Sequence, residues 1–162
     1  MLRPLAAEAS RLLAPDPAAM TAVAAALVGD WRVEAIELLA LGWHEQLVAA
    51  AAIALGGGDA PSWAALWQAI DGSSWAAPQL VAAAAVADET FEARAAARLT
   101  DVSRRGPKTI GALVRAYHRC PSRRMPVVAQ LGRHDRTLAT EEARIGVRGV
   151  DGWLDYFSSR SS

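Results

Sequence analysis

The sequence predicts an all-α protein, and three observations carry that prediction. Alanine and leucine dominate, β-branched residues are sparse, and six tryptophans outnumber two tyrosines and two phenylalanines, a balance that favours helix over a sizeable sheet. Apolar residues recur at helical spacing, as at Trp31, Ala35, Leu38 and Leu39, while Arg32, Glu34 and Glu37 fall largely on the other face. Prolines and glycines bound segments of helical length. At 162 residues, residues 1–162 suit a single all-α domain, which buries about two-thirds of the surface of its unfolded form and needs no disulfide or metal to hold it.

Each element has its own local reason. Pro15 and Pro17 close a short N-terminal helix, and Ala18 to Val28 reads as a second. A third helix starts at Trp31 and ends near Gly42, and a fourth runs from Trp43 to Leu55. Gly56, Gly57 and Gly58 stop that one, because glycine tolerates the left-handed cap conformation. Pro61 fits the first turn of the helix in "APSWAALWQAI", with "DGSS" as its stop. Trp63 and Trp67 lie four apart within it and read as a packing ridge, and another helix opens at Trp75. Later, Pro107 opens a helix with Ile110, Leu113, Val114 and Tyr117 on one side. After Thr137, Gly146, Gly149 and Gly152 predict an irregular connector, followed by a brief helix in "WLDYF" whose Trp153, Tyr156 and Phe157 dock as a terminal cap.

Superposing the chain on itself at an offset of 44 residues (75 − 31) aligns Trp31 with Trp75, Ile36 with Leu80, Leu47 with Phe91 and Leu55 with Leu99. The repeating units are then helical hairpins over about 31–55 and 75–99, a basic helical segment over about 103–136, and a C-terminal cap over about 137–162. The stretch "PQLVAAAAVADETFEARAAARL", with a proline opening, Asp88 at the turn and Arg94 in an alanine-lined second helix, resembles HEAT-like repeats. That resemblance implies a short right-handed stack of antiparallel hairpins, an α-solenoid. An irregular helical bundle is the alternative.

The formal net charge is zero, yet it conceals a segregated molecule. Up to Val102, five arginines stand against twelve acids, a balance of −7; from Ser103 to Arg136, eight arginines and Lys108 stand against Asp135 alone, a balance of +8. On the helix opened by Pro107, Lys108, Arg115 and Arg119 project within about 40° of one another, opposite the apolar side. Arg104 and Arg105 precede it, and Arg123 and Arg124 follow. This stripe has two readings: a recognition surface for carboxylate or phosphate, or a solvated face paired with the acidic half of the same chain. On the first reading, reversing Lys108, Arg115 and Arg119 to glutamate leaves the helical signal intact.

Signatures of catalysis and metal binding are incomplete. His44 and Glu45 begin H-E-x-x-H, but Val48 stands where the second histidine must share the helix face. "GGGDAP" lacks the strand, spacing and lysine of a phosphate-cradling loop. His118 and Cys120 are two residues apart, which on a helix points them about 200° apart. His134 and Asp135 lack an identifiable nucleophile, and Asp135 suits a turn or cap. Cys120 is the sole cysteine, which excludes an internal disulfide and fits a reducing compartment. The apolar runs are short for a bilayer span, and Glu8 and Arg11 interrupt the apolar region a signal peptide needs.

The expectation is therefore a cytoplasmic, non-enzymatic repeat protein without a cofactor, monomeric at physiological salt. It binds an acidic protein surface through Arg104, Arg105, Lys108, Arg115, Arg119, Arg123 and Arg124. Nucleic acid is the alternative partner, since some HEAT-like proteins, notably the alkylpurine DNA glycosylases, cradle duplex DNA with basic helices. A small-molecule enzyme using His118, His134 or Asp135 is the third reading.

Overall fold

A computed structural model of the chain describes residues 1–72, 75–101, 105–120 and 135–160, and these residues form helices and turns with no strand among them. A 3₁₀ helix spans Arg3–Leu13, followed by α1 (Pro17–Ala25), α2 (Trp31–Leu39), α3 (Trp43–Gly56), α4 (Ala60–Asp71), α5 (Ala77–Ala87), α6 (Phe91–Thr100), α7 (Pro107–His118), α8 (Asp135–Leu138) and α9 (Glu141–Arg160). Their ends obey local chemistry. The Asp16 carboxylate caps α1 by accepting from the Ala19 N–H at 2.7 Å, and Asp59 caps α4 by accepting from the Ser62 N–H at 3.0 Å. Gly57 ends α3 at φ 72°, in the left-handed region.

The centre of the molecule is a row of three helices, α3, α5 and α7, each packed against the next. Leu47–Ala54 and Leu80–Ala84 are buried without a break; helices apolar all round belong in the interior, and their alanines let neighbouring axes approach closely. On one flank α2 packs on α3 and α4, and α4 on α5. The Trp67 ring of α4 stacks on Phe91 of α6 at 5.6 Å, joining those two helices as well. The 3₁₀ helix and α1 cover α3, while α9 covers α5 and α7. Glu34 of α2 holds the 3₁₀ helix in place, accepting from the Leu2 and Arg3 N–H groups at 2.8 Å each.

The buried positions recur at about 30 residues. The run from Leu47 to Ala54 superposes on that from Ala77 to Ala84 (77 − 47), and Ile110–Val114 follow in α7 at the same step (110 − 80 from Leu80). In the flanking helices Ala35 and Leu39 correspond to Leu66 and Ile70, then to Ala95 and Leu99. An offset of 44 does not superpose environments: Trp31 is 6% exposed, whereas Trp75 is 74% exposed and lies before the first residue of α5. Residues 31–55 do form packed neighbours, α2 and α3, but across 75–99 α5 packs chiefly on α3, α7, α9 and α4 rather than on α6. Bulky identities steered the alignment because alanine makes up much of α5, leaving few large residues to align.

The C-terminal segment departs from expectation. Glu141–Arg160 is one continuous helix of 20 residues, including Gly146, Gly149 and Gly152. Each glycine costs a helix about 1 kcal/mol relative to alanine, and tertiary packing offsets that cost: a Cβ on Gly146 would collide with the Lys108 carbonyl oxygen, and one on Gly111 of α7 with the Ala143 backbone. The glycines permit the close crossing of α7 and α9. Trp153 is fully buried there, with Phe157 6.1 Å from it and Tyr156 edge-on to Phe157 at 5.3 Å.

Candidate functional site

The basic stripe is built on α7, whose apolar side packs inward through Ile110, Leu113, Val114 and Tyr117. Its charged side meets acids from other elements. Arg115 Nε donates to Asp151 Oδ1 at 2.8 Å, and Arg119 donates to Asp151 at 3.0 Å and to Asp155 at 2.7 Å. Burial lowers the Arg119 pKa, but hydrogen bonds and attraction from Asp155 and Asp151 outweigh it and hold it above its ordinary value. Arg105 turns toward α4, donating from Nη2 to Asp71 Oδ1 at 2.8 Å, while Arg98 grips the same carboxylate at 2.9 and 2.8 Å. Arg104, Arg123, Arg124 and His134 lie outside the described residues, as does the Asp135 side chain.

These pairs carry two expected results. Arg115→Glu with Arg119→Glu places like charges against Asp151 and Asp155 and is expected to lower stability by about 1–2 kcal/mol, read as a lower urea midpoint. Lys108→Glu alone is expected to leave the midpoint nearly unchanged. The second concerns acid. Burial raises the Asp71 pKa, but hydrogen bonds and charge from Arg98 and Arg105 outweigh it and leave the carboxyl below its ordinary value. A carboxyl lowered on folding contributes stability that is present above its unfolded pKa and lost as pH falls through its folded pKa. Asp151 is lowered in the same way, with burial opposed by Arg115 and Arg119. Urea midpoints measured from pH 7 down to 2 are expected to fall across the carboxylate range, and Asp71→Asn to flatten part of that fall.

Lys108 behaves differently from its neighbours on the stripe. Its Nζ lies 4.0 Å above the Trp75 ring, a cation–π contact. The two residues stand at the rim of a groove of about 720 Å³, whose walls include Leu13, Trp43, Pro78, Gln79, Ile145 and Arg148. A second depression of about 590 Å³ adjoins it at Trp43 and Trp75 and continues between the ends of α2 and α4. Because Trp43, Gln79 and Lys108 belong to the first turns of α3, α5 and α7, three helix N-termini meet on this edge. The dipoles of these helices add positive potential to that of Lys108 and Arg148. No acidic residue lines either depression among the described residues. Arg148 also donates to Glu141 at 2.8 Å, so its charge is shared.

Sequence reasoning placed Trp75 inside a helix and so missed this groove. Pro78 was the available signal, since proline favours the first turn and puts the helix start at Ala77, leaving Trp75 in the preceding connection. Gln79 carried no sequence signal. It is 4% exposed, its Nε2 donates to the Leu13 carbonyl at 2.8 Å, and its buried Oε1 has no hydrogen-bond partner among the described residues.

The remaining candidates are dispersed. His44 is exposed and stacks on Trp43 with ring centroids 3.6 Å apart. His118 is half-buried near the C-terminal end of α7. Burial, with a smaller contribution from Glu92, pushes the Cys120 thiol up, which disfavours the nucleophilic thiolate. Among the described residues no three His, Cys, Asp or Glu side chains cluster to hold a metal, and no helix is long and apolar enough to cross a membrane. No protein-family model, curated protein or solved structure matches the chain.

Proposed function

We propose that this chain is a non-enzymatic helical-repeat protein, HEAT-like in the stacking of its hairpins, that mediates protein–protein interaction through a partly basic surface. The observation that carries the proposal is the exposed Trp75 under Lys108, at the rim of a groove with aromatic walls and no acidic lining. Exposed tryptophans are among the anchors that dominate binding energy at protein interfaces, and a lysine beside one adds steering charge. The recurrence of buried positions at about 30 residues supports the repeat reading, because stacked hairpins bury one continuous core and leave edges free for a partner. The acidic character of the partner rests on Lys108, with Arg148, Arg115 and Arg119 contributing less because Glu141, Asp151 and Asp155 already pair with them. A cytoplasmic location and a monomer at physiological salt belong to the same proposal.

Panning a random peptide library on the immobilised protein tests the reading. Enrichment of sequences rich in Asp and Glu is expected, and Trp75→Ala with Lys108→Glu is expected to abolish it. A library that yields no enriched sequence, or only basic ones, counts against the proposal.

A further inference from the structure

We infer that the groove between the 3₁₀ helix and α9 receives a short acidic peptide segment carrying one bulky apolar side chain, which seats between Trp43 and Trp75 with flanking carboxylates against Lys108 and Arg148. The inference deepens the interaction-module reading and rests on it. Three properties of the groove select this occupant. Its walls are aromatic and aliphatic, and Trp75, at 74% exposed, keeps a large ring in water that a ligand would cover. Among the described residues its ionisable lining groups are Lys108 and Arg148, both cationic, with Arg148 also paired to Glu141. The helix N-termini of α3, α5 and α7 reinforce the attraction for carboxylates. A volume of about 720 Å³ lies in the range of sites that enclose a compact ligand and accommodates a few residues rather than a folded domain.

The probe is a fluorescein-labelled nonapeptide of glutamate and glycine with one central leucine, followed by anisotropy and by ¹⁹F NMR of the protein labelled with 5-fluorotryptophan. The Trp75 resonance is assigned by its loss in Trp75→Phe. Saturable binding is expected, together with a shift of the Trp75 resonance. Affinity is expected to fall about tenfold in Lys108→Glu and in Trp75→Ala, and several-fold between about 50 and 500 mM salt. Replacing the central leucine with alanine is expected to weaken binding by a similar factor, and replacing the glutamates with lysines to abolish it. Unchanged urea midpoints exclude unfolding as the cause, with Lys108→Ala as the gentler second variant. Binding that leaves the Trp75 resonance unmoved and survives both substitutions overturns the groove assignment while leaving the interaction-module reading intact. Binding of laurate at this resonance with no binding of the peptide overturns the peptide assignment. Failure of both this peptide and the library selection overturns the inference and the reading beneath it together.

Discussion

Replacing Asp88 with alanine is expected to cost the protein about 3 kcal/mol of stability, one of the largest losses available from a single polar side chain. Its side chain is fully buried at the turn between α5 and α6 and binds groups from three positions. Oδ2 accepts from the Trp67 indole N–H at 2.7 Å, and Oδ1 accepts from the Thr90 N–H and hydroxyl at 2.8 and 2.7 Å. Arg94 Nε lies 3.4 Å away and supplies the compensating charge. Alanine strands a buried indole donor inside the core, removes the turn's acceptor and frees Arg94. Asp88→Asn keeps an acceptor while losing the charge, so a smaller loss of about 1–2 kcal/mol is expected. Urea unfolding followed by circular dichroism reads both, and an alanine variant with a wild-type midpoint would remove Asp88 from its place as the tie between α4 and the α5–α6 turn.

Glycines within one helix are expected to respond with opposite signs. Gly146→Ala is expected to destabilise by about 2–3 kcal/mol, because the new Cβ meets the Lys108 carbonyl oxygen, a backbone atom that moves only if α7 and α9 separate. Gly152→Ala, six residues further on, has Pro15 Cδ at 3.8 Å as its nearest neighbour. This is ordinary contact, and the gain in helix propensity is expected to stabilise by about 0.5–1 kcal/mol. Thermal or urea midpoints of the two variants separate propensity from packing. If both alanines stabilise, the crossing of α7 and α9 is looser than its geometry here.

Much of the helical layout was legible in the residues. Gly56 to Gly58, Pro61 and Pro107 act on their own turn of chain, so α3 ends, and α4 and α7 begin, within a residue or two of where those residues place them. Asp88 and Arg94, singled out for their resemblance to a repeat turn, do pair across that turn. The spacing of about 30 between buried positions was not legible, because much of it is carried by alanines in α3 and α5, which cannot be told apart in an alanine-rich chain. The groove was hidden as well. Trp75 looks like Trp31 in sequence, and only the neighbours that α5, α7 and α9 bring to it separate a core ring from an exposed one.

The sequence by itself determined that the chain is helical, that its ends and turns fall at particular glycines, prolines and aspartates, and that cations concentrate after Val102. These properties reside in single residues or in spacings of three and four, and local sterics and hydrogen bonding express them without reference to the rest of the molecule. Tertiary structure alone decided that Arg115 and Arg119 meet Asp151 and Asp155, that Arg105 shares Asp71 with Arg98, and that Lys108 turns to Trp75. It also decided that three glycines sit inside a 20-residue helix. Each of those outcomes joins residues some 30 positions apart, or sets helix propensity against close packing. The winner follows from which helices touch, and that contact is a property of the assembled core.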